Sequence, residues 1–194
     1  MKKGEATRQR IIEESARVFN KLGYGSTSMS TLMEATGLEK GGIYRHFSSK
    51  EELACEAFDY AVQLNNKVSC GALEGIEGGL NKIEKFIQNF AQGKSTIQGG
   101  CPVLNTAVEN DDGNPILKKK ANAAFKAWMG ILVEYVEEGK KEGSFKKNLQ
   151  SEELVFFILS SLEGAMVFAN LMGKKDHLKQ VAETVLEYVR SKKA

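Results

Sequence analysis

Between Glu39 and Lys50 the chain reads EKGGIYRHFSSK, which crowds two lysines, an arginine, a tyrosine and a histidine around two adjacent glycines. A guanidinium such as that of Arg45 can make paired contacts with the O6/N7 edge of guanine. The donors of Lys40, Tyr44, His46 and Lys50 suit phosphate oxygens. Gly41 and Gly42 cost roughly 1 kcal/mol each relative to alanine inside a helix. That cost makes sense where a helix start must come close to another surface, such as a major groove about 12 Å wide. Just upstream, Thr27, Ser28, Ser30 and Thr31 supply a cluster of hydroxyls. The bland alternative is that Gly41-Gly42 simply form a loop and Tyr44 covers a core.

Other chemistry finds little support. Only two histidines occur, His46 and His177, and no Cys/His cluster has metal-ligand spacing. Gly93-Lys94-Ser95 resembles the end of a phosphate-binding loop, but Gln88 stands where that motif needs glycine. No enzyme activity, metal or cofactor is expected. Cys55, Cys70 and Cys101 are odd in number and widely spaced, which argues against a disulfide scaffold.

The elements that must position the basic segment are helices. Two prolines in 194 residues and no alternating β-branched runs leave helical periodicity dominant. Helices are expected at Thr7–Leu22 (closed by Gly23), Ser28–Thr36 (turned by Gly37) and Glu39–Phe47. A longer one runs from Ser49 to about Cys70, with Ser49 and Glu52 as a capping box. Gly71 to Gly79 holds four glycines and reads as a loop. Further helices follow at Leu80–Ala91, Val103–Asn110, Pro115 to about Glu142, Ser151 to about Met172, and about Asp176 to Ser191. Asn114-Pro115 is a start signal, a capping side chain followed by proline at the first helical position. The fold class is all-α with about nine helices.

Net charge divides unevenly. Residues 1–50 hold nine Lys/Arg against five Glu, whereas the remainder holds eighteen against twenty acidic residues. A basic first part on a slightly acidic body suggests an anionic partner for the first part only. Apolar runs are short, as at Leu154–Leu159, so no transmembrane helix is expected. No segment resembles a secretory leader, and the chain reads as cytoplasmic.

Residues 27–50 pair two short helices through a glycine turn, with the helix at 7–22 as their lid. The stretch Thr7–Leu53 resembles the TetR family of bacterial transcriptional regulators. The resemblance is carried by Arg10-Ile11-Ile12, Ala16, Phe19, Gly23-Tyr24, Thr27, Ala35-Thr36-Gly37-Leu38, Gly42-Ile43-Tyr44-Arg45-His46-Phe47 and Ser49-Lys50-Glu51-Glu52-Leu53. It covers about a quarter of the chain. Met33-Glu34 departs from the family's usual apolar-alanine pair, a change consistent with repacking.

The resemblance implies a DNA-binding helix-turn-helix domain at 1–50 and an effector-binding and dimerisation domain at 51–194. It implies that Glu39–Phe47 is the recognition helix, with Tyr44 and Lys50 as backbone clamps. Thr27, Ser28, Ser30, Thr31, Lys40, Gly41, Gly42, Tyr44, Arg45, His46 and Lys50 are the expected DNA-binding residues. The implied function is a repressor that leaves double-stranded operator DNA when a small molecule binds the C-terminal domain.

In the body, the last two helices offer Leu154, Ile158, Ser161, Leu162, Ala165 and Ala169 with Leu178, Val181, Val185 and Val189 as a homodimer interface in a four-helix bundle. Phe86, Phe90, Phe125, Trp128 and Phe156 are expected around an effector, with Asn105 or Glu109 as polar contact. Cys101, just before a short helix, is an alternative site as a thiol sensor of oxidants or electrophiles. From a different class, a helical interaction protein without DNA binding remains open.

Overall fold

The computed structural model describes residues 3–69, 71–93 and 97–194; Cys70, Lys94 and Ser95 lie outside them. Nine α-helices occur among the described residues: α1 Lys3–Leu22, α2 Met29–Thr36, α3 Lys40–Tyr44, α4 Lys50–Ser69, α5 Gly79–Ala91, α6 Pro102–Glu109, α7 Pro115–Glu142, α8 Ser151–Met172 and α9 Asp176–Arg190. A single 3-10 turn, Gly71–Leu73, interrupts the glycine-rich join.

Local chemistry explains most boundaries. Ser28 Oγ accepts the Thr31 N–H and caps α2, and Gly37 ends it in the left-handed region at φ +66°. Asn114 Oδ1 accepts the N–H groups of Ile116 and Leu117 at 2.9 and 3.0 Å, capping α7 in front of Pro115. Two expectations shift. Helix α3 ends at Tyr44, because the glycines leave its first turn short of helix-forming side chains. At the start of α4, Ser49 Oγ does cap Glu52 N–H at 3.0 Å, but the Glu52 carboxylate reaches back to the N–H and hydroxyl of Ser48. Those bonds hold the Glu52 carboxyl below its ordinary range.

The chain forms two compact units: Met1–Asn65 with Ser95–Ala124, and Asn66–Lys94 with Phe125–Ala194. The division differs from the expected boundary at residue 50. Helix α6 and the start of α7 group with the head, and α4 and α7 each contribute to both units.

In the first unit, Ile11, Ile12, Leu32, Ile43, Phe47 and Leu53 form one buried cluster. Each such side chain contributes on the order of 1.5–3 kcal/mol by leaving water. Arg8 lies 4.7 Å above the Phe47 ring and pairs with Glu56, closing the head's outer edge.

In the second unit α8 packs along α9. Leu154, Ile158, Leu162 and Ala169 on α8, and Leu178, Val185 and Val189 on α9, are all buried within this one chain. These seven were expected at a dimer interface and are instead buried inside one protomer; Ser161, Ala165 and Val181 are half-buried. The exposed side of α8 is the other one, carrying Phe156, Ser160, Phe168 and Leu171. By length and composition α8 is apolar enough to cross a membrane, a property that helices packed in a protein core share. Ser160, Ser161, Glu163 and Gly164 break its apolar runs, so run length alone does not report its mean apolarity.

Candidate nucleic-acid interface

Helix α3 is held from beneath by Ile43 and, just past its end, Phe47, both essentially inaccessible to water. That anchoring turns Lys40, Gly41, Tyr44 and Arg45 outward, and all four are exposed. A Cβ added to Gly41 would meet nothing within 4 Å, so its bare backbone stands open to an approaching surface. Gly42 is half-buried against Leu38, and His46 is half-buried as well. Lys40 Nζ lies 5.8 Å from the Tyr44 ring centre, so cation and aromatic ring share one edge.

At the start of α2 the Ser28 hydroxyl lies 2.6 Å from Ser30 Oγ and 2.8 Å from Thr31 Oγ1. Ser28 and Ser30 are exposed. Hydroxyls and free amides at a helix N-terminus suit a phosphate. A positive exposed edge on α3 and a hydroxyl cluster at the start of α2 are chemistries suited to a polyanion with readable base edges.

Two expected contact residues are occupied otherwise. Thr27 is 1% exposed, and its hydroxyl donates to Gly23 O at 2.6 Å, so it closes the turn after α1. Lys50 Nζ donates to Tyr24 O at 2.6 Å and sits 4.3 Å over the Tyr24 ring. Partial burial pushes the Lys50 ammonium down from its ordinary range, opposed by the charge of Glu109. Its reach toward a phosphate is spent inside the protein.

The expected effector residues are not brought into one site. Phe86, Phe90 and Trp128 cluster in the second unit: Phe86 meets Trp128 edge-on at 5.9 Å and Phe90 stacks on it at 6.5 Å. Trp128 Nε1 is buried without a hydrogen-bond acceptor. Phe125 and the exposed Phe156 form a separate edge-to-face pair at 6.5 Å. Cys101, Asn105 and Glu109 belong to the first unit. Cys101 is a buried residue at the cap position of α6.

Asn105 and Glu109, expected as ligand contacts, hold the end of α1 instead. Asn105 Nδ2 donates to Asn20 O at 3.1 Å and Gly99 O at 2.8 Å. Glu109 accepts the backbone N–H groups of Tyr24 and Gly25 at 2.8 and 2.7 Å. Sequence reading missed this role, because the partners of Asn105 and Glu109 at the end of α1 lie about 85 residues away in the chain.

Comparison with known proteins matches two family models to this chain. Residues 11–57 match the model for bacterial regulatory proteins of the tetR family, and residues 79–185 match the tetracyclin repressor-like C-terminal domain. The chain is 25% identical to the HTH-type transcriptional repressor DhaR of Mycobacterium sp. strain GP1, over 93% of this chain and 90% of that one. A crystal structure of a TetR transcriptional regulator from Chloroflexus aurantiacus superposes with a TM-score of 0.95 at 35% identity, covering 100% and 98% of the two chains. A cysteine mutant of the TetR-family regulator CifR, complexed with double-strand operator DNA, has the same fold, with a TM-score of 0.80 at 22% identity over 92% and 94%.

Proposed function

Since the chain belongs to the TetR family of bacterial regulatory proteins, we propose that it binds a DNA operator as a homodimer and leaves it when a small molecule binds the second unit. It is a DNA-binding transcriptional regulator. One observation carries the reading of its contact residues: Lys40, Gly41, Tyr44 and Arg45 stand exposed on one edge of α3 while Ile43 anchors the other. Arg45 reads a guanine edge, Lys40 and Tyr44 hold phosphates, and Ser28, Ser30 and Thr31 hold the neighbouring backbone. The operator is in the cytoplasm, and occupancy represses transcription.

The dimer forms through the exposed stripe of α8. Phe156, Ser160, Gly164 and Phe168 recur at four-residue steps, with Leu171 completing the stripe. A Cβ on Gly164 would meet nothing within 4 Å, so the middle of the stripe has room for a second helix. Such a contiguous apolar face on a monomer favours burial against a copy of itself. Two heads then read half-sites about 34–36 Å apart.

The effector enters beside Phe86, Phe90 and Trp128. A buried indole N–H ordinarily finds an acceptor, and that of Trp128 has none among the described residues. An apolar molecule carrying a carbonyl or carboxylate oxygen satisfies both the aromatic wall and this donor.

The test uses a duplex selected from a random-sequence pool by the parent protein. Arg45→Ala weakens that duplex by about 1–3 kcal/mol and relaxes preference at one base pair. Binding equal to the parent in both affinity and preference would remove α3 as the reading helix.

A further inference from the structure

The turn that carries α2 and α3 is gripped from outside the helix-turn-helix. The two oxygens of Glu109, on α6, accept the N–H groups of Gly25 and Tyr24 at 2.7 and 2.8 Å. Lys50 Nζ also donates to the carbonyl of Tyr24 at 2.6 Å. The peptide units around Tyr24 are therefore fixed through both their donors and their acceptor. Gly23 makes the approach possible: its φ is +83°, and a Cβ there would lie 2.7 Å from the Glu109 carboxylate.

The grip is extended along α1. Asn20 Nδ2 donates to Gln98 O at 2.9 Å and to Gly100 O at 3.1 Å, and Asn105 bonds back to the Asn20 carbonyl. At Gly99, with φ +109°, an added Cβ would come within 2.4 Å of Asn20 O. The segment from Gly99 to Glu109 is thus a strap laid against the end of α1. Charged acceptors make the stronger class of hydrogen bond, and the exposed Glu109 spends its charge on two backbone donors near the DNA-facing surface.

We propose that Glu109 is a positioning residue for DNA recognition, holding the turn before α2 so that α2 and α3 keep one orientation, without itself touching DNA. The proposal rests on the reading of α3 as the DNA-contacting helix. Its consequence is that sequence discrimination depends on a carboxylate of α6, so any displacement of α6 is felt first as lost specificity.

The experiment measures affinity of the full-length protein for the selected duplex and for a random duplex across a salt series. In Glu109→Ala the selected duplex is bound about tenfold more weakly, the random duplex is bound as before, and the salt slope is unchanged, because no phosphate contact is removed. Glu109→Gln keeps one accepting oxygen and falls between the two. A residue that only stabilised the fold would leave the ratio of the two affinities constant, and that result overturns the proposal. Arg45→Ala is the control. If it weakens the selected duplex while Glu109→Ala does not, the proposal fails alone; if Arg45→Ala has no effect, the reading of α3 fails and takes the proposal with it.

Discussion

The exposed edge of α3 and the exposed face of α8 are opposite in chemistry. The first offers Lys40, Tyr44 and Arg45 around bare glycine backbone; the second offers Phe156, Phe168 and Leu171 around Ser160 and Gly164. Both use small residues to admit a close neighbour. The surrounding side chains decide which neighbour is stable: charge and aromatic donors favour a hydrated phosphate backbone, whereas large apolar groups favour another apolar face. What separates them is therefore the rim around the glycine rather than the glycine itself.

Removing what lies under the first surface has the largest expected effect. Phe47→Ala empties a fully buried site and costs about 3–5 kcal/mol of stability, read by denaturant unfolding; a loss below about 1 kcal/mol would mean that α3 is not anchored there. Next comes the second surface. Phe168→Asp places an unpaired charge on the α8 face, and a cost of several kcal/mol for burying it yields monomers in a sedimentation measurement, with operator binding lost as well. A protein that stays dimeric with this change has its interface elsewhere.

The comparison sharpens at the two lysines beside α3. Lys40→Ala weakens all DNA sequences and lowers the salt slope by about one. Lys50→Ala, whose ammonium is already bonded to Tyr24 O, leaves the slope alone; equal changes in slope for both variants would restore Lys50 as a phosphate contact.

The smallest effect concerns the ion pair between Glu84 on α5 and Arg190 on α9. Hydrogen bonding to Arg190 holds the Glu84 carboxyl below its ordinary 4.5. The pair therefore adds stability above that pH, and the contribution disappears as pH falls through the lowered value. Arg190→Ala lowers the melting temperature slightly near neutral pH and not at all at strongly acid pH, read from thermal melts; an equal loss at both would mean that the pair is not the source.

Much of this architecture was legible in the sequence. Helix ends announced by Asn114-Pro115, Gly23 and Gly37 fall where expected, because capping is a local interaction. The α8 face was misassigned for a physical reason. Helix α8 is apolar on both sides, so periodicity identifies a helix but cannot tell which stripe meets α9 and which stays exposed. Lys50 and Glu109 were misread because their partners lie 26 and 85 residues away. No local pattern reports a contact of that range. The outward placement of Lys40 and Arg45 was legible because Ile43 on α3 and Phe47 just past its end, spaced four apart, are both buried.

The two amides held by Glu109 have a consequence in the time domain. Tyr24 and Gly25 lie in a turn between helices, where backbone protons ordinarily exchange with solvent quickly. Bound to a carboxylate, they exchange only when that contact opens. Their deuterium uptake is thus a label-free clock for the release of the head, already present in the native protein and readable before any operator or effector has been found.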